Sequence, residues 1–317
     1  KLTPIANKYM QEYLTCDFRS AETELTFFST FPGFGIKIKN LCLINPVKGA
    51  GSDTLLIVNK VVAGIDIKTL WKYNELKINY VMLDSPQLNA FVDASGKSNY
   101  DILKTDTTSN DSSGFYKSFS KIDLSDMIFR NANISYVDSA SNIFLKIKGL
   151  NFRSGMSVKN GILNSKLRAI SGDVSLRVDN TDYFKNVAIQ FETPITYRFS
   201  TNTFSFKNSE LKLNGLSAVI SGEVVYHSTT GEILTQLSFI AGEFMLKSLL
   251  DLLPAEYSSM MDGIKIDGKI AMKGTVSGIY SDNSMPVFKF ILNFNSGRAE
   301  YVGFPLQIND LNGNAVV

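Results

Sequence analysis

Few side chains in this sequence could act as a catalytic base, a nucleophile or a metal ligand. His227 is the single histidine, so a site with several histidine ligands cannot form. A general base also needs a second group within hydrogen-bond reach, and the sequence around His227 indicates none. Residues 228–231 (STTG) follow it and are typical of a hairpin tip. We therefore expect His227 to be a solvent-exposed turn residue.

Cys16 and Cys42 are the two cysteines of the chain, and they could form a disulfide in an oxidising compartment. They do not have the Cys-x-x-Cys spacing of zinc sites and redox motifs. If the chain turns at Pro32-Gly33, Cys42 lies opposite Thr23. Cys16 would then be about 20 Å from Cys42 at the rise of a strand, too far for a bridge. We expect two unpaired thiols, buried or half-buried.

Several aspartates could be imagined as the carboxylate pair of a glycoside hydrolase. That chemistry needs two carboxyl groups facing each other across a cleft, with aromatic rings nearby to hold the sugar. The candidates lie instead in turn sequences such as Asp84-Ser85-Pro86 and residues 93–96 (DASG). Turn aspartates hydrogen-bond their own backbone. We therefore expect structural roles for Asp84, Asp93, Asp101 and Asp138.

Composition excludes further classes of protein. The net charge is +2, from 32 Lys+Arg and 30 Asp+Glu, which lacks the basic footprint of a nucleic-acid-binding protein. Hydrophobic residues make up 44% of the chain, enough for a sizeable apolar core. Neither a Gly-x-Ser-x-Gly elbow nor a complete Gly-x-x-x-x-Gly-Lys-(Ser/Thr) phosphate loop occurs. The sequence predicts a non-enzymatic protein with no cofactor, no metal and no nucleic-acid partner.

The elements that would position a site are mostly strands. Segments rich in Val, Ile, Phe, Tyr and Thr alternate with polar residues and are separated by Gly, Asn, Asp and Ser. Helical spacing occurs over residues 3–14, where Pro4 suits the first helical position, and over residues 243–261, which Pro254 interrupts. We predict a mostly β (α+β) fold, in which a long, curved antiparallel sheet forms a groove and carries these two helices.

A polar segment divides the chain. Residues 104–114 (KTDTTSNDSSG) contain no apolar side chain and predict a flexible surface loop. We expect an N-terminal region of helix and sheet over residues 1–103 and a continuing sheet region over residues 115–317. The two regions could equally form a single elongated domain. No apolar run approaches the ~20 residues of a membrane-spanning helix.

A six-residue pattern, apolar–x–apolar–x–(Asn/Gly/Asp)–Leu, occurs four times. Its copies are residues 36–41 (IKIKNL), 145–150 (LKIKGL), 211–216 (LKLNGL) and 306–311 (LQINDL). In a regular strand the final leucine would face away from the two earlier apolar residues. A β-bulge at the fifth position would return it to their face and bend the strand. Alternatively, each copy is a plain strand that ends in a turn.

These strands predict an apolar face, because Ile and Leu alternate with Lys along them. A curled sheet with one apolar face could hold an acyl chain, since each buried CH₂ contributes ~0.8 kcal/mol. The candidate lipid-lining residues are Ile36, Ile38, Leu41, Leu43, Leu145, Ile147, Leu150, Phe152, Leu211, Leu213 and Leu216.

Five blocks of sequence resemble the AsmA-like family. They are residues 25–36 (LTFFSTFPGFGI), 83–90 (LDSPQLNA), 96–103 (GKSNYDIL), 133–138 (NISYVD) and 305–313 (PLQINDLNG). The resemblance extends in order through nearly the whole chain, and it rests on the general pattern of residues rather than on catalytic groups. The first three blocks together are its most specific part.

The resemblance implies a cell-envelope protein of Gram-negative bacteria, held in the inner membrane by an N-terminal helix and exposed to the periplasm. Residues 1–4 (KLTP) look like the point just after that helix, so the anchor itself would be absent from this chain. The family is similar to chorein-type bridge proteins, in which a curved β-sheet forms a lipid-carrying groove. Its members are linked to phospholipid movement between the two membranes and to outer-membrane assembly.

Two functions follow as expectations. The first is a lipid-binding and lipid-transfer module, which carries phospholipid or another acyl lipid along an apolar groove. The second is an envelope scaffold or assembly factor, which contacts outer-membrane proteins through its sheet edges and carries no lipid. A glycan-binding protein ranks third, because the sequence shows no aromatic platform beside paired acids.

Overall fold

The computed structural model of the protein describes residues 4, 11, 14–27, 30, 33–66, 72, 78–102, 104, 124–254, 263–281 and 283–316. Its strands are β1 (Phe18–Arg19), β2 (Glu22–Thr26), β3 (Phe34–Ile44), β4 (Thr54–Ile65), β5 (Ile78–Asp84), β6 (Gln87–Val92), β7 (Asp126–Asp138), β8 (Ile143–Lys159), β9 (Ile162–Val178), β10 (Thr181–Arg198), β11 (Thr203–Leu213), β12 (Leu216–Tyr226), β13 (Ile233–Met245), β14 (Ile264–Tyr280), β15 (Val287–Tyr301) and β16 (Phe304–Val316). A short helix, α1 (Leu246–Leu250), follows β13, and a 3-10 turn (Phe199–Thr201) precedes β11.

The strands belong to one mixed sheet, in which most neighbours along the chain are also neighbours in the sheet. The pairs are antiparallel except that β5 and β6 each pair with β7 in parallel. Strands β5 and β6 follow one another along β7, separated by Ser85 and Pro86. The prediction of a mostly β fold built on one long, mostly antiparallel sheet is confirmed.

The chain divides into two compact units, and the division falls inside β9. Unit 1 comprises Lys1–Asn160 and Ala169–Asn180, and unit 2 comprises Gly161–Arg168 and Thr181–Val317. Each unit has its own cluster of buried apolar side chains. Of the polar loop predicted over residues 104–114, the structure describes Lys104 alone, so a division of the chain at that loop stays a prediction.

The core of unit 1 lies between its sheet and the segment that leads into β1. Its buried members are Cys16, Leu41, Leu43, Leu55 and Val58. Leu14 and Phe18 pack against this cluster from the leading segment. The Thr15 N–H donates to the Ile102 carbonyl at 2.8 Å, which ties that segment to the chain after β6. The β3–β4 end of the sheet is therefore covered by the unit's own side chains.

The core of unit 2 forms where β13 leads into α1. Its buried members are Leu216, Ala241, Phe244, Leu246 and Ile270. Leu249 and Leu250 of α1 pack against the same cluster. Helix α1 thus covers one end of the sheet face to which Leu216 belongs.

The two predicted helices have different outcomes. Within residues 3–14, Pro4 and Gln11 are helical, and the remainder of that prediction lies outside the described residues apart from Leu14, which is not helical. The sequence predicts the second helix from residue 243, which is wrong by three residues. Phe244 and Met245 still pair with β14, because strand pairing buries the Phe244 ring in the core cluster. Residues 255–262 of the same prediction lie outside the described residues.

Left-handed residues interrupt the strands at the fifth position of three copies of the repeated pattern. Asn40 has a φ of 48°, Gly149 of 61° and Asp310 of 55°. The β7–β8 register shifts beside Gly149, and the β15–β16 register shifts beside Asp310. At Asn40 the β3–β4 register is kept, but Ile38 still packs against the cluster that contains Leu41. The bulge prediction is confirmed at residues 149 and 310, and all three copies contain a left-handed residue.

The remaining copy, residues 211–216, is different. Leu213 pairs with Leu216 across the β11–β12 hairpin, so Asn214 and Gly215 form its turn. The alternative of a strand that ends in a turn is therefore right for this copy. Strand β11 has its bulge earlier, at Asn208, whose φ is 52°.

Four left-handed residues of unit 1 lie away from the hairpin turns and close to one level of the sheet. They are Asn40 of β3, Ser85 between β5 and β6, Asn131 of β7 and Gly149 of β8. The cross-strand registers place all of them at one level of the sheet. Since bulges bend strands and increase their twist, the sheet of unit 1 bends along this line.

Asparagine side chains satisfy the backbone groups that the bulges release. The Asn131 N–H donates to Asn151 Oδ1 at 3.3 Å, and the Asn151 amide donates to the carbonyl of the left-handed glycine in β8 at 3.3 Å. In unit 2, Asn312 accepts from the Ser296 N–H and donates to the Asp310 carbonyl, both at 2.9 Å. In each unit, one asparagine side chain therefore bridges the backbone of two facing bulges and satisfies a group of each.

Two serines have a related role. Residues 170–174 (ISGDV) and 220–224 (ISGEV) share a pattern that predicts the start of a strand, but both lie in the middle of one. Ser171 Oγ donates to the Lys148 carbonyl at 2.7 Å, and Ser221 Oγ accepts from the Asn208 N–H at 2.8 Å. Each serine therefore pairs with a backbone group at, or next to, the bulge of the preceding strand.

The two cysteines are unpaired, as predicted. The residue predicted to lie opposite Cys42 in the sheet is wrong. Cys42 lies opposite Arg19 rather than Thr23, because Thr26 pairs with Gly35 and the chain turns earlier than Pro32-Gly33. Cys16 is buried in the core of unit 1, and this burial raises the pKa of its thiol.

The bulge in β8 predicts a specific effect of substitution at Gly149. A left-handed backbone costs an ordinary L-residue ~1–2 kcal/mol, while Asn adopts it readily. A Cβ at this position would meet Asn131 Oδ1 at 3.6 Å, an ordinary contact. We expect Gly149→Val to lower the free energy of unfolding by about 1–2 kcal/mol and Gly149→Asn to lower it much less. Urea unfolding measures both, and equal stabilities of the two variants would contradict the prediction.

Candidate functional site

His227 lies where the sequence places it, at the exposed tip between β12 and β13. Its N–H donates to the Glu232 carbonyl at 2.9 Å, and its carbonyl accepts from the Gly231 N–H at 2.8 Å. Within the described residues, no group of three or more His, Cys, Asp or Glu side chains is placed to hold a metal ion. In the same part of the chain, no helix combines the length and apolarity that crossing a bilayer requires.

Asp93 and Asp138 accept hydrogen bonds from turn backbone, as predicted, whereas Asp84 is the last residue of β5. Asp93 Oδ1 accepts from the Ser95 hydroxyl at 2.6 Å and from the Lys97 N–H at 3.0 Å, and these bonds hold the pKa of Asp93 below its usual value. Asp84 lies 3.5 Å from Lys60 Nζ. Asp101 is exposed.

Asp138 closes the turn between β7 and β8. It accepts from the Ala140 and Ser141 N–H groups, both at 2.9 Å, and from the Tyr136 hydroxyl at 3.1 Å. The backbone bonds lower the pKa of Asp138. Burial and the bond to Asp138 raise the pKa of Tyr136 to about 12. This pair holds the end of the β7–β8 hairpin.

In unit 1 the cross-strand pairs place apolar side chains on one face. Residues directly opposite each other on neighbouring strands point to the same side of a sheet. One line of such pairs consists of Ile38, Val61, Leu83, Phe129 and Phe152. A second line consists of Leu43, Leu56, Leu88, Ile134 and Ile147. Leu83 and Leu88 both pack against the core cluster, so the two lines share a face.

The structure brings the sequence-predicted residues of unit 1 together on this face. They are Ile36, Ile38, Leu41, Leu43, Leu145, Ile147, Leu150 and Phe152. Leu41 and Leu43 are buried beneath the segment that leads into β1, and Leu150 is buried as well. The other five are half-buried. At the β3–β4 end, therefore, the chain's own side chains occupy part of the predicted lining.

Unit 2 has a broader apolar face. One line of pairs consists of Ile195, Phe206, Gly222, Leu237, Val276 and Phe288. Another consists of Phe191, Leu211, Ala218, Ala241, Met272, Leu292 and Ala315. Neither line contains a charged residue. Phe206 and Leu211 are five positions apart, and the bulge at Asn208 allows both to share a face.

The three sequence-predicted residues of unit 2 lie on this face or at its end. Leu211 and Leu213 are half-buried, and Leu216 is buried in the α1 cluster. Sequence reasoning missed the phenylalanines of this face, because they lie outside the six-residue pattern. Their signal is plain alternation, as in residues 203–206 (TFSF) and 287–290 (VFKF).

The phenylalanines of unit 2 pack against one another along the sheet surface. The Phe239 ring lies 5.2 Å from the Phe290 ring, and Phe290 lies 6.3 Å from Phe288, measured between centroids. Gly274 lies beneath Phe239, since a Cβ there would be 2.5 Å from the ring. Phe288 remains 50% exposed and Phe204 46% exposed. The aromatic surface of this unit is thus open to a ligand.

The opposite faces carry ion pairs. In unit 1, Lys37 pairs with Glu24, and Lys39 Nζ lies 2.7 Å from Glu22 and 3.2 Å from Glu24. Hydrogen bonds from the two lysines lower the pKa of Glu24 to about 2. In unit 2, Lys265 and Glu300 approach within 3.6 Å. Surface ion pairs contribute little to stability, but they show which face of the sheet is exposed to solvent in each unit.

Comparison with known proteins finds no matching family model, curated protein or solved structure. The resemblance to the AsmA-like family therefore stays an expectation. The function has to be argued from the two faces of each unit.

The contact between Gly274 and Phe239 predicts a stability effect. A Cβ at Gly274 would lie 2.7 Å from the Lys289 carbonyl oxygen as well as against the ring, so both backbone and ring must move. We expect Gly274→Ala to lower the free energy of unfolding by about 1–3 kcal/mol. Gly242→Ala is the matched control, because a Cβ there has no neighbour within 4 Å. Thermal or urea unfolding measures both, and equal effects would exclude the ring contact as the cause.

Proposed function

We propose that the protein is a non-enzymatic lipid-binding module that holds phospholipid acyl chains on its apolar sheet faces and passes them along those faces. The observation that carries this proposal is the uncharged, half-exposed apolar face of unit 2. A large apolar patch that is exposed to water on a protein surface usually marks a binding site. Each acyl CH₂ that leaves water on this face contributes ~0.8 kcal/mol.

The chemistry of the face suits a chain rather than a compact ligand. Phe206, Leu237, Val276 and Phe288 lie in one line across neighbouring strands, and apolar contact of this kind is non-directional. A lipid could therefore shift along the face without breaking a specific polar bond. The polar headgroup would remain in water at the margin of the sheet. Movement along a uniform apolar track is what transfer of lipid requires.

The cellular setting is part of the proposal. The blocks that resemble the AsmA-like family favour a periplasmic protein associated with the inner membrane. In that setting the cargo would be phospholipid that moves between the inner and outer membranes. The scaffold hypothesis remains the alternative, because it needs the sheet edges and no lipid.

Two adjacent residues of β15 provide a matched test. Phe288 belongs to the apolar face, and Val287 points to the other side of the same strand. The side chains are 50% and 68% exposed, so both positions should tolerate a polar residue without loss of folding. We expect Phe288→Asp to weaken binding of a labelled phospholipid by at least about tenfold, because an unpaired carboxylate in contact with an acyl chain costs more than ~1.4 kcal/mol. Val287→Asp should leave that binding unchanged.

Native mass spectrometry and uptake of labelled phosphatidylcholine from donor vesicles measure the effect. Circular dichroism of each variant verifies the fold. Wild-type protein that neither co-purifies with lipid nor takes it up would contradict lipid carriage and leave the scaffold hypothesis. Equal loss of uptake in both variants would show that the apolar face of unit 2 is not the binding surface.

A further inference from the structure

The opposite face of unit 2 contains an unexpected row of aliphatic side chains. Directly paired residues on five successive strands form this row, and we call it the aliphatic row: Val219, Ile240, Lys273, Ile291 and Val316. Ile240 is 64% exposed and Val316 65% exposed. The same face carries a second aliphatic row, formed by Val225 and the exposed residues Leu234 and Ile279, and rows of polar side chains lie between the two. Exposed aliphatic surface of this extent needs a partner of its own.

Lysines are the charged groups of this surface. Lys273 occupies the centre of the aliphatic row, between Ile240 and Ile291. Lys289 ends the adjacent row, which also contains Ser238 and Thr275. Within the described residues, neither lysine forms an ion pair of 4 Å or less, unlike Lys265 and Lys269 of the same unit. The nearest acid is Glu243, three residues after Ile240 on β13, and it pairs with Lys269 at 3.6 Å. Glu210 lies beyond Val219, and Glu223 lies beyond Gln236.

A shallow depression of about 280 Å³ lies at the centre of this surface. Its lining is almost wholly apolar and comes from Ser238, Phe239, Ile240, Lys273, Gly274, Thr275, Lys289 and Ile291. Exposed aliphatic side chains with two lysines among them on the same and the adjacent row match the boundary between acyl chains and phosphate headgroups. Lysine stems lie along apolar surface while the charged ends reach the polar layer.

We propose that this surface docks unit 2 onto an anionic phospholipid bilayer. Exposed Ile240 and its aliphatic neighbours enter the headgroup–acyl boundary, and Lys273 and Lys289 pair with lipid phosphates. The inference goes beyond the proposed function, since it concerns the opposite face and a membrane surface rather than a carried lipid. In this arrangement the apolar, lipid-binding face of unit 2 points away from the bilayer, and the opposite face, which contains the aliphatic row, contacts the bilayer.

Charge argues against a second copy of this chain as the occupant. A two-fold contact centred on the aliphatic row would bring Lys273 against its own equivalent. Two like charges in a desolvated contact repel each other. An anionic bilayer, in contrast, complements both lysines.

Flotation with two vesicle compositions tests the docking surface. The vesicles contain phosphatidylcholine alone, or phosphatidylcholine and phosphatidylglycerol in equal amounts. We expect the wild-type protein to bind the anionic vesicles and to release from them as the salt concentration rises. The Lys273→Gln/Lys289→Gln double variant should bind roughly 25-fold more weakly, about fivefold for each lysine. Ile240→Ser should weaken binding roughly tenfold.

The matched control is Lys212→Gln. Lys212 is exposed on the same face of unit 2, but it pairs with Gln190 and Ser217 rather than with aliphatic residues. This variant should bind anionic vesicles as the wild type does. A loss of about fivefold, the same as for each lysine of the double variant, would reduce the effect to net charge and overturn the assignment of this surface.

A second control separates this inference from the proposed function. Phe288→Asp should keep vesicle binding while it loses lipid uptake, and the lysine double variant should keep uptake of labelled phosphatidylcholine. If Phe288→Asp abolishes vesicle binding, the apolar face makes the contact and the inference fails. It also fails if wild-type protein ignores anionic vesicles, or if it forms a dimer that the lysine double variant strengthens.

Discussion

The phase of side-chain alternation along each strand is the constraint on which this structure depends. A strand reverses the direction of its side chains at every residue. Where the apolar pattern slips by one residue, the later apolar side chains stay on the same side only if a bulge corrects the phase. Left-handed residues such as Asn131, Gly149 and Asn208 make that correction. Amide and hydroxyl side chains, among them Asn151 and Ser221, then take up the backbone groups that each bulge releases.

The two faces acquire opposite chemistry as a consequence. Apolar side chains meet across many strands, but the buried clusters occupy limited parts of each unit, near Leu41 in unit 1 and near Phe244 in unit 2. Elsewhere the apolar residues contact their neighbours in the sheet and keep one side open, as Phe288 does. A closed core would leave no such surface. The same geometry that stabilises the sheet laterally therefore provides a surface for a lipid.

Sequence reasoning succeeded where the controlling interaction is local. The fifth position of the repeated pattern adopts a left-handed conformation at Asn40, Gly149 and Asp310 because Asn, Gly and Asp tolerate positive φ. At residues 211–216 the alternative of a strand that ends in a turn is correct, because an Asn-Gly pair suits a hairpin turn. The helix prediction was wrong at Phe244. The apolar residues there have helical spacing, but Phe244 pairs with β14 and its side chain is buried in the core cluster.

The amino-acid sequence by itself determined the period of the strands, the positions able to adopt positive φ, and hence a mostly β sheet with one apolar face. These are properties of short segments. Which side chains become neighbours depends on register between strands that are far apart in the chain, and register is a tertiary property. Val219, Lys273 and Val316 form part of one row only because five strands align. No local pattern connects residues separated by such distances in sequence.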